Sequence, residues 1–85
     1  MRTIRSTMKL ILRELHAKYG YQRAQKVGEF LNNMELALHA DDIETAIKEL
    51  SKAIDHVKEL PNSKRTSSFA RLLMCRAILR LRSGT

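Results

Sequence analysis

The chain has 85 residues, 44% of them hydrophobic and 29% charged, with a net charge of +7. This composition argues against general disorder, and the length suits one domain, residues 1–85, that buries about 60% of the surface its unfolded form exposes. The single cysteine, Cys75, closes no internal disulfide and fits a reducing compartment, while no apolar run approaches the roughly 18 residues of a membrane span.

The first segment, "MRTIRSTMKLILRELH", is basic and then apolar, but Arg13 and Glu14 break its apolar stretch and no small-residue cleavage site follows. It reads as a mature start and not as a signal peptide, and a cytoplasmic location is expected. Ile4, Met8, Ile11 and Leu15 recur at intervals of four, three and four, with Leu12 and Tyr19 widening the same face. That spacing predicts an amphipathic helix over about 3–19. Arg2, Arg5, Lys9, Arg13 and His16 fall on a second stripe about a third of a turn away, a basic face. Leu10 lies outside both stripes.

In "HAKYGYQRAQK", Tyr19 and Tyr21 flank Gly20, with Lys18, Arg23 and Lys26 close by. Glycine just past the last periodic residue is the commonest helix C-cap, since it adopts the left-handed conformation without steric cost. Tyr21 would then fold back near Leu15 or His16. The alternatives are an aromatic and basic contact surface that stacks on bases, or a helix running through Gly20. A second helix over about 22–38 follows from Ala24, Val27, Leu31, Met34 and Leu38.

Asp41 or Asp42 is placed to cap a third helix, over about 42–60, with Glu44 at capping-box spacing from Asp41. Ile43, Ile47, Leu50, Ile54 and Val57 give it the strongest helical period in the chain, and Pro61 and Asn62 end it. Ser63, Thr66 and Ser67 are candidate N-caps for a last helix over about 66–82.

That last helix is apolar on two sides: Phe69, Leu72, Cys75 and Leu79 on one, Met74, Ala77, Ile78 and Leu81 on the other, with Arg71, Arg76, Arg80 and Arg82 between. A helix apolar on two faces is buried or shared with another molecule, and a domain this small has little interior. The expected architecture is all-α, a small bundle of about four helices in antiparallel hairpins. The last helix would be shared with an oligomer interface through Phe69, Leu73, Met74, Ala77, Ile78 and Leu81. A dimer or larger homo-oligomer is expected.

Catalytic and metal-binding patterns are wanting. His16, His39, His56 and Cys75 show no metal-ligand spacing, the three glycines form no phosphate-cradling loop, and Asp41 and Asp42 suit a helix cap better than an acid pair. No enzymatic activity and no cofactor are expected. Ala24, Val27 and Gly28 have the spacing of a helix-turn-helix, but the second helix would present Glu35, Leu36 and Leu38 and no cation to DNA. A plain amphipathic helix, with Gly28 allowing close packing, fits better.

Charge is segregated along the chain. Residues 1–26 carry seven Lys/Arg and one Glu, residues 27–60 three Lys and eight Asp/Glu, and residues 61–85 six Lys/Arg and no acid. Basic ends around an acidic middle either attract an anionic partner or pair with that middle. The favoured reading is a small, non-catalytic, regulatory protein that binds RNA or DNA through the phosphate backbone. Arg2, Arg5, Lys9, Arg13, Lys18, Tyr19, Tyr21, Arg23, Lys26, Lys64 and Arg65 are the candidate contacts. Two alternatives stand beside it: a protein–protein adaptor or inhibitor acting through the Arg-rich last helix, and a binder of a small anionic ligand at a subunit interface.

Overall fold

The computed structural model describes residues 4–84. Four helices form: α1 (Ile4–Tyr19), α2 (Tyr21–His39), α3 (Ile43–Lys58) and α4 (Ser67–Ser83), with a 3₁₀ turn at Ser63–Arg65 before the last. No strand occurs among the described residues. Each helix packs on two others in a closed ring, α1 on α2, α2 on α3, α3 on α4 and α4 on α1.

Neighbours in the ring run antiparallel, which the cross-helix contacts show directly. Arg5 near the start of α1 meets Glu35 near the end of α2, and Leu12 lies over Gly28. Glu14 near the end of α1 meets Ser68 at the start of α4. Short connections and antiparallel neighbours define an up-down-up-down bundle. Its axis is filled by Ile11, Leu15, Val27, Leu31, Met34, Leu50, Val57, Leu72 and Leu79, all nearly or fully buried, the residues that the helical period places inward.

Local stops differ from expectation in three places. Gly20 has φ 92° and ψ 171°, a glycine conformation that is extended in ψ and not the left-handed helical one of a C-cap motif. It is nevertheless the whole connection: its N–H donates to the His16 carbonyl and its carbonyl accepts from Ala24, so it ends α1 and begins α2 in one residue. The capping box between Asp41 and Glu44 does not form. Asp41 itself takes φ 60°, and Asp42 accepts from the Thr45 N–H at 3.1 Å and the Thr45 hydroxyl at 2.7 Å. Finally, α3 stops at Lys58, not at residue 60, and Asn62 turns the chain in a left-handed conformation. Thr66 caps α4 by accepting from the Phe69 N–H.

Gly28 lies inside α2, so the helix-turn-helix reading is overturned. A continuous helix leaves no turn there.

Candidate nucleic-acid interface

The basic stripe of α1 points outward, as its offset from the core stripe requires. Lys9 and Arg13 are exposed, and among the described residues neither has an acidic partner. Arg5 is different: its Nε and Nη2 donate to Glu35 Oε1 at 3.2 and 3.0 Å. His39 Nε2 lies 4.0 Å from the same oxygen. Arg2 lies outside the described residues.

A shallow groove runs between α1 and α2 above Leu12 and Gly28. His16 and Tyr21 stand at one end, their rings 6.1 Å apart and edge to face. Arg5, Lys9 and Glu35 stand at the other. Tyr21 is 64% exposed, and its edge contact with His16 holds it at the helix junction. Glu29 also borders the groove and opposes any anion there.

Tyr19 does not share that surface. Its ring packs against the core and its hydroxyl donates to the Pro61 carbonyl at 2.7 Å, a tie between the end of α1 and the α3–α4 connection. Arg23 and Lys26 are exposed, but Lys26 does not extend the α1 stripe. Lys26 Nζ sits 5.4 Å above the Phe30 ring, and Phe30 meets His56 of α3, which places Lys26 on the α3 side of α2. Lys64 and Arg65 are exposed at the α3–α4 connection, where Lys58 joins them around one hollow. The candidate contacts among the described residues therefore divide among separate surfaces.

Sequence reasoning missed Glu14. It is the one acid among the first 26 residues, and it serves the N-terminus of α4. One oxygen accepts from the Ser68 N–H at 2.9 Å and from the Ser68 hydroxyl, and Ser67 Oγ lies 3.4 Å from both oxygens. An anion at a helix N-terminus satisfies free N–H groups and meets the positive end of the dipole. The Ser68 hydroxyl hydrogen bond holds the Glu14 carboxyl below the usual glutamate range, against the opposing effect of burial and with further help from the Ser68 N–H, Lys18 and Ser67. A lone acid in a strongly basic segment was the available signal.

The last helix shows the two sides that its sequence implies. Leu72 and Leu79 are buried and Phe69 and Cys75 pack against the core, so Phe69 belongs to the inner side and not to the outward set. Arg76 Nη1 donates to Ser51 of α3 at 3.4 Å. Leu73, Met74, Ile78 and Leu81 are 38%, 64%, 46% and 79% exposed, and Ala77 lies among them on the same outward face. Burial pushes the Cys75 thiol pKa up, which keeps it a protonated packing group. No group of His, Cys, Asp or Glu among the described residues could hold a metal ion, and none of their helices is long and apolar enough to cross a membrane.

No protein-family model, curated protein or solved structure matches this chain.

Proposed function

We propose that this chain is a non-catalytic helical protein that binds RNA or DNA through the phosphate backbone. The observation that carries the reading is the state of the basic ends: the acidic middle engages Arg5 and leaves most of the other cations in water. Lys9 and Arg13 on α1, Arg23 near the start of α2, and Lys64 and Arg65 before α4 are exposed with no carboxylate in ion-pair reach among the described residues. Cations held apart from acids raise affinity for a polyanion by releasing its counterions, and contacts to phosphate carry no sequence information directly. Binding is therefore sequence-tolerant and steeply salt-dependent. Tyr21 supplies one stacking surface.

The test is fluorescence anisotropy with a labelled single-stranded RNA and a labelled DNA duplex at low and moderate salt. Binding that weakens steeply with salt supports the reading. No binding to either probe at low ionic strength overturns it.

The outward face of α4 favours a second reading, a protein-docking module. Four large exposed apolar side chains on one helix form the kind of patch that marks an interaction surface, and the expected self-association would use it. Sedimentation of the pure protein at micromolar concentration separates the two outcomes: a dimer covers the face with a second copy, and a monomer leaves it for a different protein.

A further inference from the structure

We propose that the hollow at the α3–α4 connection is a built seat for a phosphate group. This inference rests on the phosphate-backbone reading and gives it an address.

The stretch "LPNSKR", residues 60–65, is a turn held at several points. Leu60 is buried, Asn62 reverses the chain at φ 57°, and the Pro61 carbonyl is tied to α1 by Tyr19. The Ser63 carbonyl accepts from both the Thr66 N–H and the Thr66 hydroxyl. A hollow of about 290 Å³ opens here, lined by Lys58, Leu60, Asn62, Ser63, Lys64 and Arg65. Three of these are cations, none is an acid, and none of the three cations has an ion-pair partner among the described residues. The cations come from the last turn of α3 and from the 3₁₀ turn, so the fold gathers them from either side of Pro61.

Ser63 adds an independent observation. It is 1% exposed, and its Oγ makes no hydrogen bond. Buried hydroxyls are nearly always paired, and an unpaired hydroxyl on a residue that lines the hollow is suited to donate to an acceptor that arrives. A phosphate brings several anionic oxygens, enough to accept from Ser63 Oγ, from the Arg65 guanidinium and from the two lysine ammonium groups at once. A carboxylate has only two oxygens and one charge. Hydrogen bonds to an ionised oxygen are also the strong ones.

The experiment is amide-resolved NMR of the full chain, titrated at constant ionic strength with sodium phosphate, with sodium acetate and with an eight-nucleotide oligouridylate. Wild type, Ser63→Ala, the double variant Lys64→Gln with Arg65→Gln, and the control Lys48→Gln, at an exposed position of α3, are compared. Phosphate should shift the Ser63, Lys64 and Arg65 amides saturably, with acetate clearly weaker. The double variant should weaken phosphate binding by about tenfold and Ser63→Ala by about threefold, with Lys48→Gln close to wild type. Ser63→Ala should leave thermal stability unchanged or higher, because it removes an unpaired buried hydroxyl.

No saturable phosphate shift at these amides, or an equal response to acetate, overturns the seat. Oligouridylate binding that shifts α1 amides and spares residues 63–65 also overturns it while leaving the phosphate-backbone reading standing. Saturation by phosphate, with no binding of oligouridylate here and none of the DNA duplex by anisotropy, keeps the seat as a site for a free phosphoanion, and the nucleic-acid reading then falls alone.

Discussion

Glu14 on α1 accepts the backbone N–H of Ser68 on α4 at 2.9 Å, so an acid from the first helix caps the last. The ring of helices is closed at this point by a charged group, and that makes the closure sensitive to acid. The Ser68 hydrogen bonds lower the Glu14 pKa from its ordinary 4.5, so the unfolded chain binds this proton more readily than the folded one. The stabilisation is complete above that ordinary value and is lost as pH falls through the lower folded value. Glu14→Gln should therefore be less stable than wild type at pH 7, with the gap closing below about pH 4. Thermal melts of both proteins from pH 7 to pH 3 measure it, and a gap independent of pH removes the ionised cap.

Gly20 should resist substitution for a backbone reason alone. A Cβ there would meet nothing within 4 Å, yet φ is 92° with ψ 171°, a region that is essentially glycine-only. Gly20→Ala should cost about 1–3 kcal/mol in denaturant unfolding. Tyr21→Ala, at an exposed ring, should cost less than Tyr19→Phe, which removes the bond to Pro61 and about 0.5–1.5 kcal/mol.

Gly28 should behave in the opposite way. A Cβ there would sit 3.6 Å and 3.7 Å from the Leu12 methyl carbons, ordinary van der Waals contact in a helix interior. Gly28→Ala should stabilise by up to about 1 kcal/mol through helix propensity. Urea denaturation decides the sign, and a marked loss would mean that α1 and α2 approach more closely than this geometry shows.

The contrast between the two glycines shows what could be read from the sequence. The apolar period placed Ile11, Leu31, Leu50 and Leu72 inward because a stripe repeating every three or four residues has one buried side whatever the neighbours are. The helix stops were less legible. Asp42, not Asp41, caps α3 because a cap depends on which backbone turns first, and Asp41 takes the left-handed conformation. The candidate site was legible only in its charges. Which cations share a surface depends on how the helices rotate in the ring, so Lys26 went to the α3 side and Lys58, unremarked in sequence, joined Lys64 and Arg65. Glu14 works through contacts distant in the chain, marked in sequence only by its isolation among cations, and the unpaired Ser63 hydroxyl leaves no local pattern.

The two sides of α4 should separate stability from association. Leu72 is 1% exposed, Met74 64% and Ile78 46%. Leu72→Ala should cost about 2–5 kcal/mol by leaving a cavity. Met74→Glu and Ile78→Glu should leave the melting temperature nearly unchanged and abolish any assembly seen by sedimentation. Leu10, half-buried on α1, is the control position. If the glutamate variants unfold the protein, the outward face is instead part of the core.

Salt dependence should show which cations meet phosphate, because each contact contributes its own share of the slope. For single-stranded probes, loss of one phosphate contact lowers the slope of log K against log salt by about 0.7, and for duplex DNA by about 0.9. Lys9→Ala and Arg13→Ala should each approach these values, since both side chains are exposed with no acid partner among the described residues. Arg5→Ala should change the slope less, because Arg5 must leave Glu35, 3.0 Å away, before it can meet a phosphate. Glu35→Gln gives the opposite sign: it removes a negative charge from the α1–α2 groove and releases Arg5 for the backbone, so affinity should rise and the slope should steepen. A solvated basic face with no phosphate contact would show none of this order. Equal small effects at Lys9, Arg13 and Arg5, with no gain from Glu35→Gln, would move the interface away from α1.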